Sequence, residues 1–353
     1  MNIYAYDNVN TQDWNSIVLS HPESRFYQMA EYQHVLKQNF QLKGINLVFK
    51  DNDAIVGLLP VYVAKTLIFN KIESIPFAEY GGIVSSEPER LDFEVISAFL
   101  RELIRKYKVK YLQINAGLGL PRELMKREFS IQPFLQYAEL DLIDEDQLWN
   151  KFDYQVRKAV NKAKRNHLTC FEESGLAAIK EHFYPLYLRS TIRLGSPPLS
   201  LKYFLDCKTN FKERMKIFFV QQPRQILAAL LGFVTNERVY IQYIVSDERQ
   251  HPKRAADLAH WEFIKWAVKN KFKFFDFGPA RYEGQIRYKT KWGARLKDYN
   301  FFYLFDKAEE KRDLPRPLDP SSTRFTLLKK IWGIQPGFVK KASGHWLRRN
   351  LVK

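Results

Sequence analysis

The stretch KFKFFDFG (Lys271–Gly278) leads from a basic turn into a buried strand, and KVKYLQIN (Lys108–Asn115) has the same pattern in the first half of the chain. Each follows a segment whose apolar residues recur at helical spacing, Leu91–Tyr107 before the earlier copy and Leu258–Val268 before the later one. This likeness indicates an internal duplication, although any two α/β units share the same order of elements. Duplication predicts two copies of one mixed sheet with flanking helices, and a cleft between the copies for a ligand.

The segments that precede these helices are also similar in the two halves. The first half has a predicted hairpin, in which Ile45–Lys50 and Ala54–Val63 are joined by a turn at Asp51–Asp53. The second half has a predicted meander of three strands: Met215–Gln222, Ile226–Val234 and Val239–Val245. The predicted fold class is therefore α/β, of the α+β type with mixed sheets.

Charge divides the chain near residue 150. Residues 1–150 hold 15 Lys and Arg against 20 Asp and Glu, and residues 151–353 hold the other 41 against 19, which gives net charges of −5 and +22. This change supports a first domain at 1–143, a second at 144–308 and a basic tail at 309–353. It also places any polyanionic partner on the second half, whether nucleic acid, phosphorylated lipid or a membrane surface.

A basic helix is predicted between the two copies, over residues 145–167. Asp144 is a suitable N-cap, acids fill the first turn, and bases follow. The bases project as a broad cationic face and comprise Arg157, Lys158, Lys162, Lys164 and Arg165. Such a face is either a phosphate-binding wall or an ordinary solvated surface.

The segment Arg324–Lys353 carries eight bases and no acid. Large apolar residues alternate with these bases, among them Trp332, Phe338 and Trp346. Bases beside Trp and Phe on a short helical pattern are typical of an anchor on an anionic membrane surface. A tail that is only solvated, or that touches nucleic acid, is the alternative.

Several classes of protein are excluded by what the sequence lacks. The nearly apolar run Ala54–Ala64 is far shorter than the roughly 20 residues of a transmembrane helix. The N-terminus has no pattern of a secretory signal, which favours a cytoplasmic protein. The sequence has no P-loop, HExxH or GxSxG motif, only a lone GxG at Gly117, and its two cysteines match no metal-ligand spacing. We therefore expect no metal site.

The stretch FFDFGPARYEGQIRYKTKWGA (Phe274–Ala294) is the strongest candidate for a site. Asp276 lies near the end of a predicted strand, and a turn at Gly278 follows. The ends of strands are where α/β domains place ligand-binding groups. Basic and aromatic residues come directly after the turn: Arg281, Tyr282, Arg287, Tyr288, Lys289 and Lys291. A surface loop with ordinary bases is the other interpretation.

Four motifs, in order along the chain, resemble the FemAB family of peptidyltransferase-like proteins. They are PFAEYGGIV (Pro76–Val84), YLRSTIRLGSPPLSLKYF (Tyr187–Phe204), FDFGPAR (Phe275–Arg281) and YKTKWG (Tyr288–Gly293). The similarity begins at FYQMAEYQHVL (Phe26–Leu36) and covers nearly the whole chain. It is greatest to the FemAB-related branch associated with exopolysaccharide and protein-sorting systems. The resemblance implies two tandem GNAT-type domains, the fold of acyl-CoA N-acyltransferases.

The resemblance also implies acyl or aminoacyl transfer to an amine of a cell-envelope or polysaccharide precursor. The donor in well-studied relatives is aminoacyl-tRNA, and no resident cofactor is required. An acyl-CoA donor is the alternative, although the stretch Glu248–Trp261, where GNAT enzymes carry a Gly-containing loop, has no glycine. Such an enzyme would act at the inner face of the plasma membrane.

Residue roles follow from the resemblance in the same way. The family's aromatic-Lys pair corresponds to Tyr288, which would pack on the donor, and to Lys289, which would stabilise the oxyanion. Binding roles are implied for the anion-holding Arg281 and Arg287, for Asp276, and for the acceptor-side segment Glu79, Tyr80, Gly81 and Gly82. A non-catalytic scaffold that binds nucleic acid or membrane through its basic half is the competing interpretation of the whole chain.

Overall fold

The computed structural model of the protein describes residues 1–65, 70–115, 122–223, 225–306, 314 and 332–351. Contacts divide the chain into two units. Unit 1 comprises residues 1–135, 298–319 and 349–353, and unit 2 comprises residues 136–297 and 320–348. The predicted division at 1–143, 144–308 and 309–353 follows ancestry and charge rather than contacts, and it stays a prediction. The lone GxG at Gly117 lies outside the described residues.

Unit 1 is built on six strands in the order β1-β2-β3-β4-β5-β12. They are β1 (Asn2–Tyr6), β2 (Gly44–Asp51), β3 (Ala54–Lys65), β4 (Asn70–Glu73), β5 (Tyr111–Asn115) and β12 (Arg295–Phe305), the last of which begins in unit 2. Only β4 and β5 pair in parallel. The predicted hairpin is confirmed as β2 and β3, and Asn52 and Asp53 form its turn with φ of 46° and 65°.

In its described residues, unit 1 has four α-helices: α1 (Thr11–Ser20), α2 (Ala30–Phe40), α3 (Phe93–Tyr107) and α4 (Arg122–Glu128). The predicted helix at 91–107 is α3, which Asp92 caps by accepting hydrogen bonds from the N–H groups of Glu94 and Val95. Its apolar face packs on β2, β3, β5 and β12 in one core, with Ile96 and Leu100 fully buried.

Unit 2 has six strands in the order β6-β11-β10-β9-β8-β7. They are β6 (Ser130–Asp141), which begins in unit 1, β7 (Thr169–Glu172), β8 (Met215–Gln222), β9 (Gln225–Thr235), β10 (Arg238–Ser246) and β11 (Phe274–Ala280). The predicted meander is confirmed as β8, β9 and β10. As with β4 and β5 in unit 1, one pair is parallel, and this pair is β10 and β11.

The helices of unit 2 are α5 (Glu145–Lys151), α6 (Tyr154–Arg165), α7 (Leu176–Ala178), a π-helical turn (Ile179–Phe183), α8 (Tyr184–Arg193), α9 (Leu201–Phe211), α10 (Ala255–Lys269) and α11 (Glu283–Lys291). A further helix, α12 (Gly337–Leu351), crosses from unit 2 into unit 1 at Arg349. The core of unit 2 lies between the sheet and helices α6 and α10, and it includes Trp261, Phe263 and Trp292.

The prediction of one continuous helix over 145–167 is wrong. The chain leaves helical geometry at Phe152 and Asp153, whose ψ angles are 143° and 144°. Phe152 is buried against Trp261 and Trp292, and Asp153 starts the second helix by accepting a hydrogen bond from Gln155 N–H at 2.7 Å. An N-cap inside the sequence therefore ends one helix and begins another.

Candidate functional site

The two parallel strands of unit 2 separate after only three paired residues. Arg238–Tyr240 pairs with Phe274–Asp276, after which β10 remains with β9 and β11 remains with β6. Both strands have a bulge at the point of separation, at Ile241–Tyr243 in β10 and at Asp276–Pro279 in β11. The bulge of β11 contains Gly278 with φ of +72°. A gap in the sheet results, and the side chains of the following helix lie beside it.

The ammonium of Lys289 lies against the β11 side of this gap. Its Nζ donates to the carbonyl oxygens of Phe277 at 2.7 Å, Gly278 at 2.8 Å and Pro279 at 2.8 Å. An ammonium group has three protons, so these acceptors match its full donor capacity. On the inner side of the same bulge, the buried carboxylate of Asp276 accepts a hydrogen bond from Gly278 N–H at 2.8 Å.

A cleft of about 580 Å³ opens beside the gap. Its walls are the end of β10, the first turn of α10, the start of α11 and the end of α8. The exposed apolar residues of its lining are Leu194, Ile244 and Tyr282. Tyr288 lies at the cleft, but Lys289 is not among the described residues that line it. The two adjacent residues differ because consecutive side chains on a helix point about 100° apart.

Tyr288 is hydrogen-bonded to two polar residues of α10. Its hydroxyl lies 3.4 Å from Asp257 Oδ1 and 3.2 Å from His260 Nδ1, and that nitrogen lies 3.0 Å from the carbonyl oxygen of Ala256. A carbonyl oxygen only accepts, so Nδ1 carries the proton. That one proton is shared between the Ala256 carbonyl and the Tyr288 hydroxyl, and Tyr288 donates to Asp257.

Burial shifts the pKa values of His260, Asp257 and Tyr288 in the directions that favour their neutral forms. Desolvation, aided by the charge of Lys289, lowers the pKa of His260 to about 4. Desolvation also raises the pKa of Asp257, and desolvation with the nearby Asp257 charge raises the pKa of Tyr288 well above its ordinary value. Tyr288 is therefore a hydroxyl donor at neutral pH and not a phenolate.

The mouth of the cleft carries both charge and the backbone amides of the first turn of α10. Arg254 starts α10 with a left-handed φ of 65°, and the helix's first internal bond runs from Leu258 N–H to Arg254. The amides of residues 255–257 therefore have no partner within the helix. Arg193 lines the same cleft and pairs with Glu248 at 2.9 Å. This combination can bind an anionic group.

The other predicted residues of unit 2 lie away from the lining. Arg281 is exposed, and its backbone N–H donates to Gln285 at 2.8 Å. Arg287 is exposed on α11 and pairs with Glu283 at 2.7 Å. On α6, Lys158 is exposed over the Tyr154 ring at 5.9 Å, and Arg157 is half-buried. Helix α6 starts beside the end of α11, where Asp153 N–H donates to the Lys291 carbonyl at 2.9 Å.

The predicted acceptor-side segment, residues 79–82, is packed inside unit 1. The Tyr80 ring is buried between Tyr299, at 5.9 Å between ring centres, and the Arg25 guanidinium at 4.9 Å. Tyr299 also donates a hydrogen bond to the Glu79 carbonyl. Gly81 N–H donates to Asn115 at 2.8 Å, and the Gly82 carbonyl accepts from Gln28 at 3.1 Å.

Asp257 and His260 were not predicted to belong to the site. Their spacing of three residues places them on one face of α10, and this was the available signal. The other buried residues of α10 are all apolar, so the two polar residues were not distinguished from the rest of a core helix. Across the described parts of the chain, no cluster of His, Cys, Asp and Glu could hold a metal ion.

Residues 150–303 match the family model of an acetyltransferase (GNAT) domain. Among solved structures, the chain is similar to FemX, with 14% identity, a TM-score of 0.70 and coverage of 87% of this chain and 98% of that one. It is also similar to L-PGS from Bacillus licheniformis, with 12% identity, a TM-score of 0.59 and coverage of 92% and 98%.

A tandem GNAT protein from the clavulanic acid biosynthesis pathway is a third similar structure, with 12% identity, a TM-score of 0.52 and coverage of 87% of this chain and 98% of that one. No curated protein matches the chain by sequence. The likenesses to solved structures establish the fold, and the prediction of two tandem GNAT-like domains is confirmed.

Proposed function

We propose that the protein is a transferase that moves an acyl or aminoacyl group from a donor in the unit 2 cleft to an amine. The observation that carries this proposal is the separation of β10 and β11 beside a cleft that contains Tyr288 and the first turn of α10. The match of residues 150–303 to a GNAT acetyltransferase domain supports the same reaction class.

The cleft suits a donor with both an apolar part and a phosphate. Leu194, Ile244 and Tyr282 offer apolar surface, while the first-turn amides of α10 and the nearby Arg254 offer donors to a phosphate. Aminoacyl-tRNA, which ends in an adenosine and phosphates, is the proposed donor. Acyl-CoA carries the same two kinds of group and is the second candidate.

The proposed reaction needs no enzyme nucleophile. The acceptor amine attacks the donor carbonyl carbon, a C–N bond forms, and the C–O bond of the ester (or the C–S bond of a thioester) breaks. The leaving alcohol or thiol takes up the proton that the amine loses. Tyr288 would pack on the donor, with its hydroxyl held by Asp257 and His260.

Lys289 is proposed to stabilise the oxyanion by exchanging one of its three carbonyl partners for the charged oxygen. A neutral carbonyl is a weaker acceptor than an oxyanion, so the exchange favours the transition state over the ground state. Until then the ammonium holds the bulge of β11 in place.

The acceptor is proposed to be an amine of an envelope or polysaccharide precursor at the inner face of the membrane. Glu79, Tyr80, Gly81 and Gly82 would shape its binding site, with anionic groups held by Arg281, Arg287, Arg157 and Lys158. Asp276 would act indirectly, by fixing Gly278. This acceptor, and membership of the exopolysaccharide-associated branch, stay predictions.

The test is a transfer assay with the full chain and two donor pools. One pool is tRNA charged with a mixture of radiolabelled amino acids, the other is radiolabelled acetyl-CoA, and the acceptor is an extract of lipid-linked envelope precursors. We expect label to appear in an acceptor from the tRNA pool. Label from acetyl-CoA alone would identify the second donor, and no transfer from either pool would overturn the proposal.

The matched control keeps the fold and removes the cleft hydroxyl. Tyr288→Phe retains the ring that packs in the α10 face but cannot donate to Asp257. We expect at least about tenfold slower transfer from this variant, because the ring loses the hydrogen bonds that fix its position against the donor. Normal transfer by Tyr288→Phe would remove the hydroxyl from the reaction.

A further inference from the structure

The C-terminal helix α12 has large apolar side chains on its exposed side. Phe338 is 75% exposed and Trp346 is 54% exposed, and Ile334, in the helical turn just before α12, is 80% exposed. Phe338 and Trp346 are eight residues apart, so they lie about 80° apart around the helix, on one side. Exposed residues of this size normally mark a contact surface when they occur together.

The opposite side of α12 is docked onto unit 2. Gly344 lies so close to Pro198 that any added side chain would overlap the Pro198 ring. Two further contacts lie outside this docked side: Arg348, about 80° from Phe338 around the helix, donates to the Pro197 carbonyl at 3.4 Å, and His345 Nδ1, about 20° from Phe338, accepts from Ser200 N–H at 3.4 Å. Lys340 is buried and donates to the Gly333 carbonyl at 2.8 Å. The contacts of Gly344 and Lys340 fix which face of α12 is exposed.

The exposed face is positively charged as well as apolar. Lys341 and Arg349 are exposed beside Phe338, at about 60° and 20° from it around the helix. The chain has no Asp or Glu from residue 324 to its end. No acidic side chain of α12 therefore competes with an anionic partner for these bases, and Arg349 donates to the neutral Gln41 Oε1 at 3.0 Å, which a phosphate can replace.

We propose that the exposed face of α12, with Ile334, is a docking surface for an anionic lipid bilayer. Phe338, Trp346 and Ile334 would enter the headgroup region, and Lys341 and Arg349 would contact lipid phosphates. No described helix is long and apolar enough to cross a membrane, so this contact would be peripheral. The surface is independent of the donor cleft and of the proposed reaction.

The apolar side chains favour lipid over nucleic acid as the partner. A nucleic-acid surface gains its affinity from bases that neutralise phosphates and from rings that stack on nucleobases. Ile334 can do neither, and Lys340 is already bound to a carbonyl inside the protein. An anionic bilayer can use both features of this face, because the apolar side chains insert between headgroups and the bases contact phosphates.

Vesicle sedimentation with the full chain tests the proposal. Vesicles of 30% phosphatidylglycerol in phosphatidylcholine should bind the protein, and pure phosphatidylcholine should bind it far more weakly. The double variant Phe338→Ser, Trp346→Ser should reduce binding at least about tenfold, because two inserted side chains are lost. Replacing Trp346 by Phe instead of Ser should recover most of the binding that this position contributes, because Phe also has a large apolar ring.

A charge control separates this surface from the general positive charge of the protein. Lys341→Glu with Arg349→Glu should weaken binding by about 25-fold or more, at about fivefold for each base lost near an anionic surface. Lys162→Glu with Arg165→Glu changes the net charge equally on α6 and should have a much smaller effect.

Two outcomes would overturn the proposal. One is wild-type binding to anionic vesicles by the Phe338→Ser, Trp346→Ser variant with its far-ultraviolet circular dichroism unchanged. The other is failure of the wild-type protein to bind these vesicles while it binds bulk tRNA in a manner that the same double variant abolishes, which would assign the face to nucleic acid.

Discussion

The two units differ at their parallel strand pairs, which are β4 and β5 in unit 1 and β10 and β11 in unit 2. In unit 1, β4 pairs with β5 over Ile72–Glu73, and the chain after β4 then turns back along β5. Ser74 N–H donates to Gln113 at 2.9 Å, Asn115 N–H donates to Ser74 Oγ at 3.0 Å, and Gly81 N–H donates to Asn115 at 2.8 Å. The gap between the strands is filled. In unit 2, β10 continues along β9, and the gap borders a cleft.

The polar side chains near these two strand pairs also differ between the units. In unit 1, Lys71 pairs with Glu73 at 3.3 Å, and Asn115 donates to Glu73 at 2.8 Å and accepts from Gln113 at 2.6 Å, all of them buried. These groups satisfy one another. In unit 2, Tyr288 lines the cleft, and its hydroxyl bonds to the buried Asp257 and His260. The same strand arrangement therefore carries a closed polar network in unit 1 and borders a cleft in unit 2.

The largest expected effect is on the rate of transfer by Lys289→Met. Loss of an oxyanion-stabilising charge should slow single-turnover transfer about 100- to 1,000-fold. Donor binding should change little, and Lys289→Arg should recover part of the rate, because a planar guanidinium cannot replace a compact ammonium fully. The assay is single-turnover transfer from the donor identified in the transfer assay.

Lys291→Met is the matched control on the same helix. Lys291 bonds to Gln155 of α6 and not to the carbonyls of the β11 bulge, so its loss should slow transfer only slightly. If Lys289→Met lowered stability and weakened donor binding but left the rate of bound donor unchanged, Lys289 would be a residue that only holds the bulge, and the two units would be more alike than proposed.

The closed network of unit 1 predicts the next effect, on stability. Lys71→Met removes the cation beside a buried carboxylate and should lower the free energy of unfolding by about 3 kcal/mol. The measurement is urea unfolding followed by circular dichroism. Lys273→Met is the control, because its ion pair with Glu237 is exposed, and it should cost less than about 1 kcal/mol. Similar losses in the two variants would contradict the tight network.

His260 makes the stability of unit 2 depend on pH. Its folded pKa of about 4 lies below the ordinary value of 6.5, so protonation favours the unfolded chain. The stability that depends on neutral His260 is fully present above pH 6.5 and is lost as the pH falls toward 4. Between pH 7.5 and 5, the wild type should lose about 2 kcal/mol more unfolding free energy than His260→Phe. Equal losses would show that His260 takes up a proton as readily in the folded protein as in the unfolded chain.

Much of the frame could be predicted from sequence because its signals are local. The hairpin, the meander, α3 and α10 each follow from apolar periodicity and a turn. The break in the basic helix could not be found that way, since Asp153 is a cap only because Phe152 is pulled into the core by Trp261 and Trp292. Tertiary packing decided a local boundary.

The site was predictable only in part. Tyr288 was identified by resemblance and lines the cleft. Its partners Asp257 and His260 belong to another helix, and no local pattern links them to Tyr288. Arg287 was chosen for its charge, although Glu283, four residues earlier, already indicated a partner on the same helix. Long-range polar contacts, unlike periodicity, leave no signal in a single sequence.

The smallest expected effect concerns the glycine that lets β11 bulge. A Cβ at Gly278 would lie 3.4 Å from Tyr240 Oη, so a small side chain fits. The φ of +72° would nevertheless strain the backbone of any residue that has a side chain. Gly278→Ala should cost about 1–2 kcal/mol of unfolding free energy, and Gly278→Asn less, because Asn tolerates the left-handed region. Gly284→Ala, within α11, should be neutral or stabilising by up to about 1 kcal/mol. Urea unfolding measures all three. Equal losses for Ala and Asn at 278 would show that contact with Tyr240, and not backbone geometry, keeps the gap of unit 2 open.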